Sequence, residues 1–401
     1  MAIKEQLIPI ANIELSDVCV QPEVLREVFD LSKQGYDVAL VDTGDEHRPD
    51  PIRQQFIDQT VKDLEESADG ADRFREHPGI KEWARLTKRA IALHTLYHPD
   101  SRTVGEGIDV DIYGEPIMDG RSAIEILSSS RGEEKCFAII RDYKAFIGQL
   151  IDNGSETHIG SRDFFRGVAD ARAVRTRANE AMEIAETHIT NNPELDGDNL
   201  ISASLACGAA GPVYNLVQGL EQRGRRFHKV ILVDGDPMAL ATASSLAKTE
   251  GLDAKVELQL RNLLLEPLTS YIEPNSVDIV DLLGLFEYLP SDIGIALLQN
   301  VKDIVKPGGL IVFGNMLENR PQQKFFSDVV QWPNLEQRKI VTVLEMIQSA
   351  GFNLKKVKVR VPSEGVYGVF AIDVNGKSEE DLKPKDESVV GALGLTAVEE
   401  Y

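Results

Sequence analysis

Cysteine is scarce, with only Cys19, Cys136 and Cys207 in 401 residues. An odd number of widely spaced thiols excludes a disulfide framework and a cysteine-built zinc site, and fits reduced thiols. Basic charge is also short, 43 Lys+Arg against 65 Asp+Glu, for a net charge of −22. Such a field repels phosphate backbones and anionic lipid, so nucleic acid is not an expected partner. Apolar runs long enough to cross a bilayer are missing, and the first residues lack the charged-then-apolar pattern of a secretion signal. A cytoplasmic protein without a membrane span is the expectation. Histidine offers no metal site either. His94 and His98 would share one helix face and His47 and His77 lie upstream, but no HExxH pattern or paired carboxylates complete a ligand set.

What is present is apolar and acidic. With 42% hydrophobic residues, the chain can bury a large core and should form two folded units. Residues 1–195 carry mostly helical periodicity, at Gln21–Leu31, Pro51–Ser67 and Lys81–Tyr97, and are expected to form packed helices. The Gly-, Asp- and Pro-rich stretch 104–116 suits a surface loop or short hairpin. Arg172, Arg175 and Arg177 fall on a helix just before the first buried strand. They are expected to offset surface acids, with contact to an anionic ligand group as the alternative. Phe164 and Phe165 read as core or as a docking point.

The organising stretch is 200–236. Ile201–Leu205 reads as a buried strand, 206–211 as a tight turn, Pro212–Gly224 as a helix and Lys229–Asp234 as a second strand, which makes one βαβ unit. A near-glycine turn at a helix start lets a ligand lie against backbone N–H groups, and an acid at the tip of the next strand can accept hydrogen bonds from both ribose hydroxyls. The unit looks built for a nucleoside. Strands and helices alternate onward to 376, with a helix expected over 321–350, so the fold class is α/β with a mostly parallel sheet. The last two strands, near 354–361 and 366–374, are joined too tightly for a parallel crossover and must be antiparallel. Residues 377–401 form an acidic tail.

Several segments in order resemble the class I S-adenosylmethionine-dependent methyltransferases. Leu205–Gly211 stands at that family's glycine-rich motif, Val233–Pro237 at its ribose motif, Leu260–Leu264 where adenine is met, Val277–Leu283 at the fourth strand and Lys306–Phe313 at the turn into the fifth. The resemblance implies a Rossmann-like seven-stranded sheet over 196–376 that ends in an antiparallel hairpin, with S-adenosylmethionine as cofactor. Ala206, Cys207 and Gly208 would line its methionine end, Asp234 its ribose, and Asn262 and Leu263 its adenine. Ala206 and Ala210 stand where glycine is common, an exchange tolerated if the backbone keeps ordinary angles.

Gly284–Pro290, Asn315, Trp332 and Arg338 further resemble a bacterial branch that includes fatty-acid methyl-ester-forming enzymes. Glu287 and Tyr288, just beyond the fourth strand, are the candidate catalytic pair: Glu287 to take a proton or hold an amine, Tyr288 to orient the acceptor. Against these roles, Glu287 can serve as a cap and Tyr288 as packing. The expected reaction is O- or N-methylation of a small-molecule or lipid-like acceptor. Two alternatives stay open from the residues alone. The Ala206, Gly208, Gly211 spacing with Asp234 also fits a nicotinamide-dinucleotide oxidoreductase, and an inactive nucleoside-binding module would look the same. The oligomeric state is not legible.

Overall fold

The apolar runs and helical stretches after residue 200 form one layered α/β unit in a computed structural model, which describes residues 20–42, 168–192, 199–329 and 335–374, with Leu195 and pieces within 54–62 and 109–122. His47, His77, His94, His98, Cys19, Cys136, Phe164, Phe165, Trp332, the 81–97 segment and the 377–401 tail lie outside the described residues.

In chain order the elements are helix α1 (Pro22–Lys33), strand β1 (Asp37–Val41), three short strands β2 (Asp109–Val110), β3 (Pro116–Met118) and β4 (Arg121–Ser122), and the long helix α2 (Ala169–Asn191). There follow β5 (Leu200–Leu205), α3 (Gly211–Glu221), β6 (Phe227–Asp234), α4 (Pro237–Thr249), β7 (Val256–Leu260), β8 (Val277–Leu282), α5 (Ser291–Ile304), β9 (Val305–Met316), α6 (Ile340–Ser349), β10 (Val357–Pro362) and β11 (Tyr367–Asp373). Eight strands make one sheet in the order β1-β10-β11-β9-β8-β5-β6-β7. Only β11 runs against its neighbours β10 and β9, as the tight connection before it requires. The small β2-β3-β4 sheet is antiparallel.

Both faces of the sheet are covered, which explains why β8 is buried along its whole length. One face packs Val280, Leu282, Ile311 and Phe313 against α1, α5 and α6 through Val28, Leu298 and Val343. Near its centre the Phe313 ring lies 4.4 Å from Phe286 and 5.3 Å from Phe370. The other face sets Leu232, Ile279 and Val312 beneath α2, α3 and α4 through Ala181, Ala185, Val217 and Ala243. Burial of this kind stabilises by roughly 25 cal/mol per Å² of apolar surface and holds the strand ends in fixed relation.

Two features depart from the sequence-based expectation. The N-terminal region is expected to be mostly helical, yet β1 adds an eighth strand, parallel to β10 with Val38 opposite Val359 and Leu40 opposite Val361. Its alternating burial is too short a signal to separate from the helix before it. In place of the one long helix expected over 321–350, Phe325–Val329 forms a π-helical turn and the α-helix α6 spans Ile340–Ser349. Upstream, Asn319 and Gln322 take positive φ, Leu317 bridges to Arg338, and Pro333 stands in the sequence where a continuous helix would need an N–H donor.

Candidate functional site

In an open parallel sheet the ligand lies outside the carboxyl ends of the strands, where the strand order reverses. Here that point is the pair β5 and β8, and the turns after β5, β6, β7 and β8 gather around it.

The turn after β5 is built from backbone. Ala206, Gly208 and Ala210 have φ of 52°, 54° and 61°, so left-handed residues recur at every second position. This corrects the expectation that the two alanines keep ordinary angles. Both sit in the region that disfavours a Cβ by about 1–2 kcal/mol, and the fold imposes it. Cys207 N donates to Val233 O at 3.2 Å, which ties the turn to β6. The Cys207 side chain is buried. Burial, then the charges of Asp234 and Asp281, push its thiol pKa up, so it stays a neutral thiol that packs. Gly211 and Pro212 then open α3.

Asp234 ends β6 beside this turn. Its Oδ2 accepts from Gly208 N at 2.9 Å and its Oδ1 from Asp236 N at 2.9 Å. An aimed, half-buried carboxylate at a strand tip is suited to accept from ribose hydroxyls. Beyond β7, Leu263 is buried, while Asn262 is exposed and its Oδ1 accepts from Leu264 N at 3.0 Å. Asn262 thus shapes its own turn and retains one lone pair and its amide for a base. These residues suit a nucleoside cofactor, and all six expected cofactor contacts lie on the three adjoining turns after β5, β6 and β7.

The acceptor side is different in kind. Glu287 and Tyr288 lie on a short 3-10 turn after β8. Glu287 is 2% exposed, with Arg177 of α2 at 3.1 Å and Tyr367 Oη of β11 donating to the same oxygen at 3.1 Å. The Arg177 guanidinium also lies 4.3 Å from the Tyr367 ring centroid. Burial pushes the Glu287 pKa up, opposed by the charge of Arg177. A Cβ at Gly314 would stand 2.6 Å from Arg177 Cδ, so that glycine makes the room through which the arginine reaches the turn. Tyr288 is half-buried.

Arg172, Arg175 and Arg177 are 4%, 6% and 3% exposed, which corrects the reading of them as surface charges. Arg172 bonds Gln54, and Asp170 on the same helix pairs with Arg320, its pKa nonetheless raised to about 6 by burial. Asn315 and Arg338 form a bracket. Arg338 donates to Asn315 Oδ1 at 2.8 Å, to Phe286 O at 3.2 Å and to Leu289 O, and so clamps the turn that carries Glu287. Their place is behind that turn. No group of three or more metal-ligating side chains occurs among the described residues.

Sequence reasoning missed Tyr367 and Asp281. The signal for the second was there, an acid inside the apolar run Val277–Leu283. Asp281 is 5% exposed, accepts from Ser204 Oγ at 2.8 Å, and has its pKa raised by burial to about 7.

A family model described as a methyltransferase domain matches residues 204–313. A comparison with curated protein sequences found no match. Similar solved structures include a possible exported protein from Bordetella parapertussis, at 16% identity and TM-score 0.47, covering 73% of this chain and 97% of that one. An O-methyltransferase family protein from Burkholderia thailandensis has 17% identity and TM-score 0.39, covering 63% and 70%. Magnesium protoporphyrin IX methyltransferase from Synechocystis PCC 6803 has 11% identity and TM-score 0.39, covering 59% and 99%. The matched segment runs from the end of β5 to within β9 and spans the glycine turn, the ribose acid and the acceptor-side turn. The chain therefore carries a class I S-adenosylmethionine-dependent methyltransferase domain, with S-adenosylmethionine as its cofactor.

Proposed function

We propose that the protein methylates an oxygen or nitrogen of a small or lipid-like acceptor, and that a carboxylate oxygen is the favoured target. Bound S-adenosylmethionine supplies an electrophilic methyl group for in-line displacement. The protein's tasks are alignment and exclusion of water. The carrying observation is the state of Glu287, the one carboxylate on the acceptor-side turn, which is held by Arg177 and Tyr367. A carboxylate locked in a buried ion pair is a poor general base, so an alcohol or ammonium acceptor would lack help in losing its proton. A carboxylate acceptor arrives already deprotonated and needs none. Arg177, buried on α2, is the cation that reaches this turn. In this reading Glu287 and Tyr288 position the acceptor wall with Leu283 and Phe286, and neither takes a proton.

The net charge of −22 weighs against nucleic acid as acceptor. Among the described residues no helix is long and apolar enough to cross a membrane. With the scattered cysteines this supports a cytoplasmic placement as part of the proposal.

The test is transfer of labelled methyl from S-adenosylmethionine into cell extract, followed by fractionation and mild alkali. The expected result is label in the low-molecular-weight or lipid fraction, released by alkali as volatile methanol, the mark of a methyl ester. Label confined to RNA, DNA or protein would overturn the small-acceptor reading. Alkali-stable label in a small molecule would overturn the carboxylate target alone.

A further inference from the structure

The eight-stranded sheet has two edges, and they are finished differently. At β1 the apolar side chains Val38, Leu40 and Val41 are buried, with α1 packed against the strand. At β7 the side chains alternate between apolar and polar, yet Leu258 and Leu260 are 41% and 57% exposed. Leu264 and Leu265, on the turn that follows, are exposed as well, so four of the six large exposed hydrophobic side chains among the described residues belong to this edge. The strand has neither the proline nor the lysine that commonly blunts an edge. It is shaped to be paired.

The backbone fixes how a further strand can join. Val230 N donates to Lys255 O at 2.9 Å and Arg261 N donates to Asp234 O at 3.1 Å, so Lys255, Glu257, Gln259 and Arg261 direct their backbone groups to β6. By alternation Val256, Leu258 and Leu260 direct theirs to the outer edge. A two-fold axis then leaves few antiparallel registers. Centred on Glu257 or Leu258, it sets like charges opposite each other, Glu257 against its copy or Lys255 against Arg261, which destabilises. Centred on Leu260, it sets Leu258 against Asn262. Centred on Gln259, it sets Leu258 against the partner's Leu260 and Glu257 against the partner's Arg261, each pair formed twice. The four leucines then share one face and the charges the other. Glu257 and Arg261 also meet Lys229 at 2.9 Å and Glu266 at 3.6 Å on their own chain, but all four side chains are more than a third exposed and leave room for a cross-strand pair.

We infer that β7 is a homodimer interface, where a second copy of this chain pairs antiparallel about a two-fold axis at Gln259 and joins two eight-stranded sheets into one. What favours a second copy over an unlike partner is the strand's complementarity to itself, in apolar contact and in charge.

Sedimentation equilibrium of the full chain, with site-directed crosslinking, tests it. Wild type should sediment with twice the mass of one chain at micromolar concentration. Gln259→Cys should give a covalent dimer on mild oxidation that wild type does not, because its two Cα atoms would stand about 4.5 Å apart in a pair without direct hydrogen bonds, within disulfide reach. Glu257→Cys should give none, since its two copies lie four residues out of register, roughly 13 Å apart. Leu258→Lys with Leu260→Lys should weaken dimerisation at least about hundredfold. Glu257→Arg alone should weaken it about tenfold, and adding Arg261→Glu should restore it. A monomeric wild type overturns the inference, and is the result expected if another segment of the same chain covers β7. A dimer that persists with both lysine changes, or that crosslinks equally through Glu257→Cys, also overturns it. Should the lysine variant show no cooperative melting, the charge-reversal pair decides in its place, and a dimer indifferent to charge reversal overturns the register and the inference with it.

Discussion

The two halves of the site are made from different materials. The cofactor half, at the ends of β5, β6 and β7, is built over shorter spans: Gly208 meets Asp234 across one βαβ unit, 26 residues away, and Asn262 meets Leu264 two residues on. The acceptor half is assembled across the chain, since Arg177 meets Glu287 from 110 residues away, Tyr367 meets it from 80, and Asp170 meets Arg320 from 150. A turn made of backbone leaves its donors to a ligand. A network of buried side chains satisfies itself, and serves the site by holding a shape. Cofactor binding should therefore tolerate changes on the acceptor side, while stability should not.

The largest effect expected from this contrast is on stability. Arg177→Met leaves Glu287 buried without its cation, and breaking such a pair from one side costs about 3–5 kcal/mol. Denaturant unfolding should show that loss, and a second change, Glu287→Leu, should recover much of it, because the penalty belongs to the unpaired charge. If the double variant is as unstable as the sum of the two singles, the network is worth more than its geometry implies.

A related contrast separates the acids by pH. Asp281 has a folded pKa of about 7, against an unfolded value of about 3.9. Between these values the unfolded chain has lost its proton while the folded one keeps it, so stability falls as pH rises from about 4 to 7. Asp281→Asn should flatten that decline, removing a loss on the order of 3 kcal/mol at about 1.4 kcal/mol per pKa unit. Melting curves of the unliganded protein across this range check it. An unchanged slope would mean that Asp281 is better solvated than its burial implies.

The smallest effect tests the turn itself. Ala210 is an alanine held at φ 61°, so Ala210→Gly should stabilise by about 1 kcal/mol by relieving the left-handed strain. S-adenosylhomocysteine affinity should stay the same. A loss of stability would show that the Ala210 methyl, which is buried against α3 and α4, contributes more packing than the strain costs.

Legibility in the sequence followed the same divide. The glycine turn, Asp234, the alternating strands and the reversed last strand could be read because each is a pattern within a few residues, and local chemistry fixes local backbone. Strand β1 could not, being five residues at a sheet edge whose partner β10 lies more than 300 residues further along the chain. Nor could the burial of Arg172, Arg175 and Arg177, because an arginine on an amphipathic helix reads as solvated until the acids facing it are known. Glu287 was found by position, but its engagement with Arg177 and Tyr367 has no trace in the spacing of residues. Asp281 was visible as an acid in an apolar strand, yet only the structure shows that Asp278 beside it is paired and Asp281 is not.

The most direct test of a local cofactor half beside a self-satisfied acceptor half is one set of calorimetric titrations with S-adenosylhomocysteine, on wild type, Asp234→Ala and Glu287→Gln. The account predicts that Asp234→Ala loses about 1.5–3 kcal/mol of binding, the value of a hydrogen bond to an ionised group, while folded Glu287→Gln binds as wild type does. Undiminished binding in Asp234→Ala, or loss of binding in a folded Glu287→Gln, would contradict it.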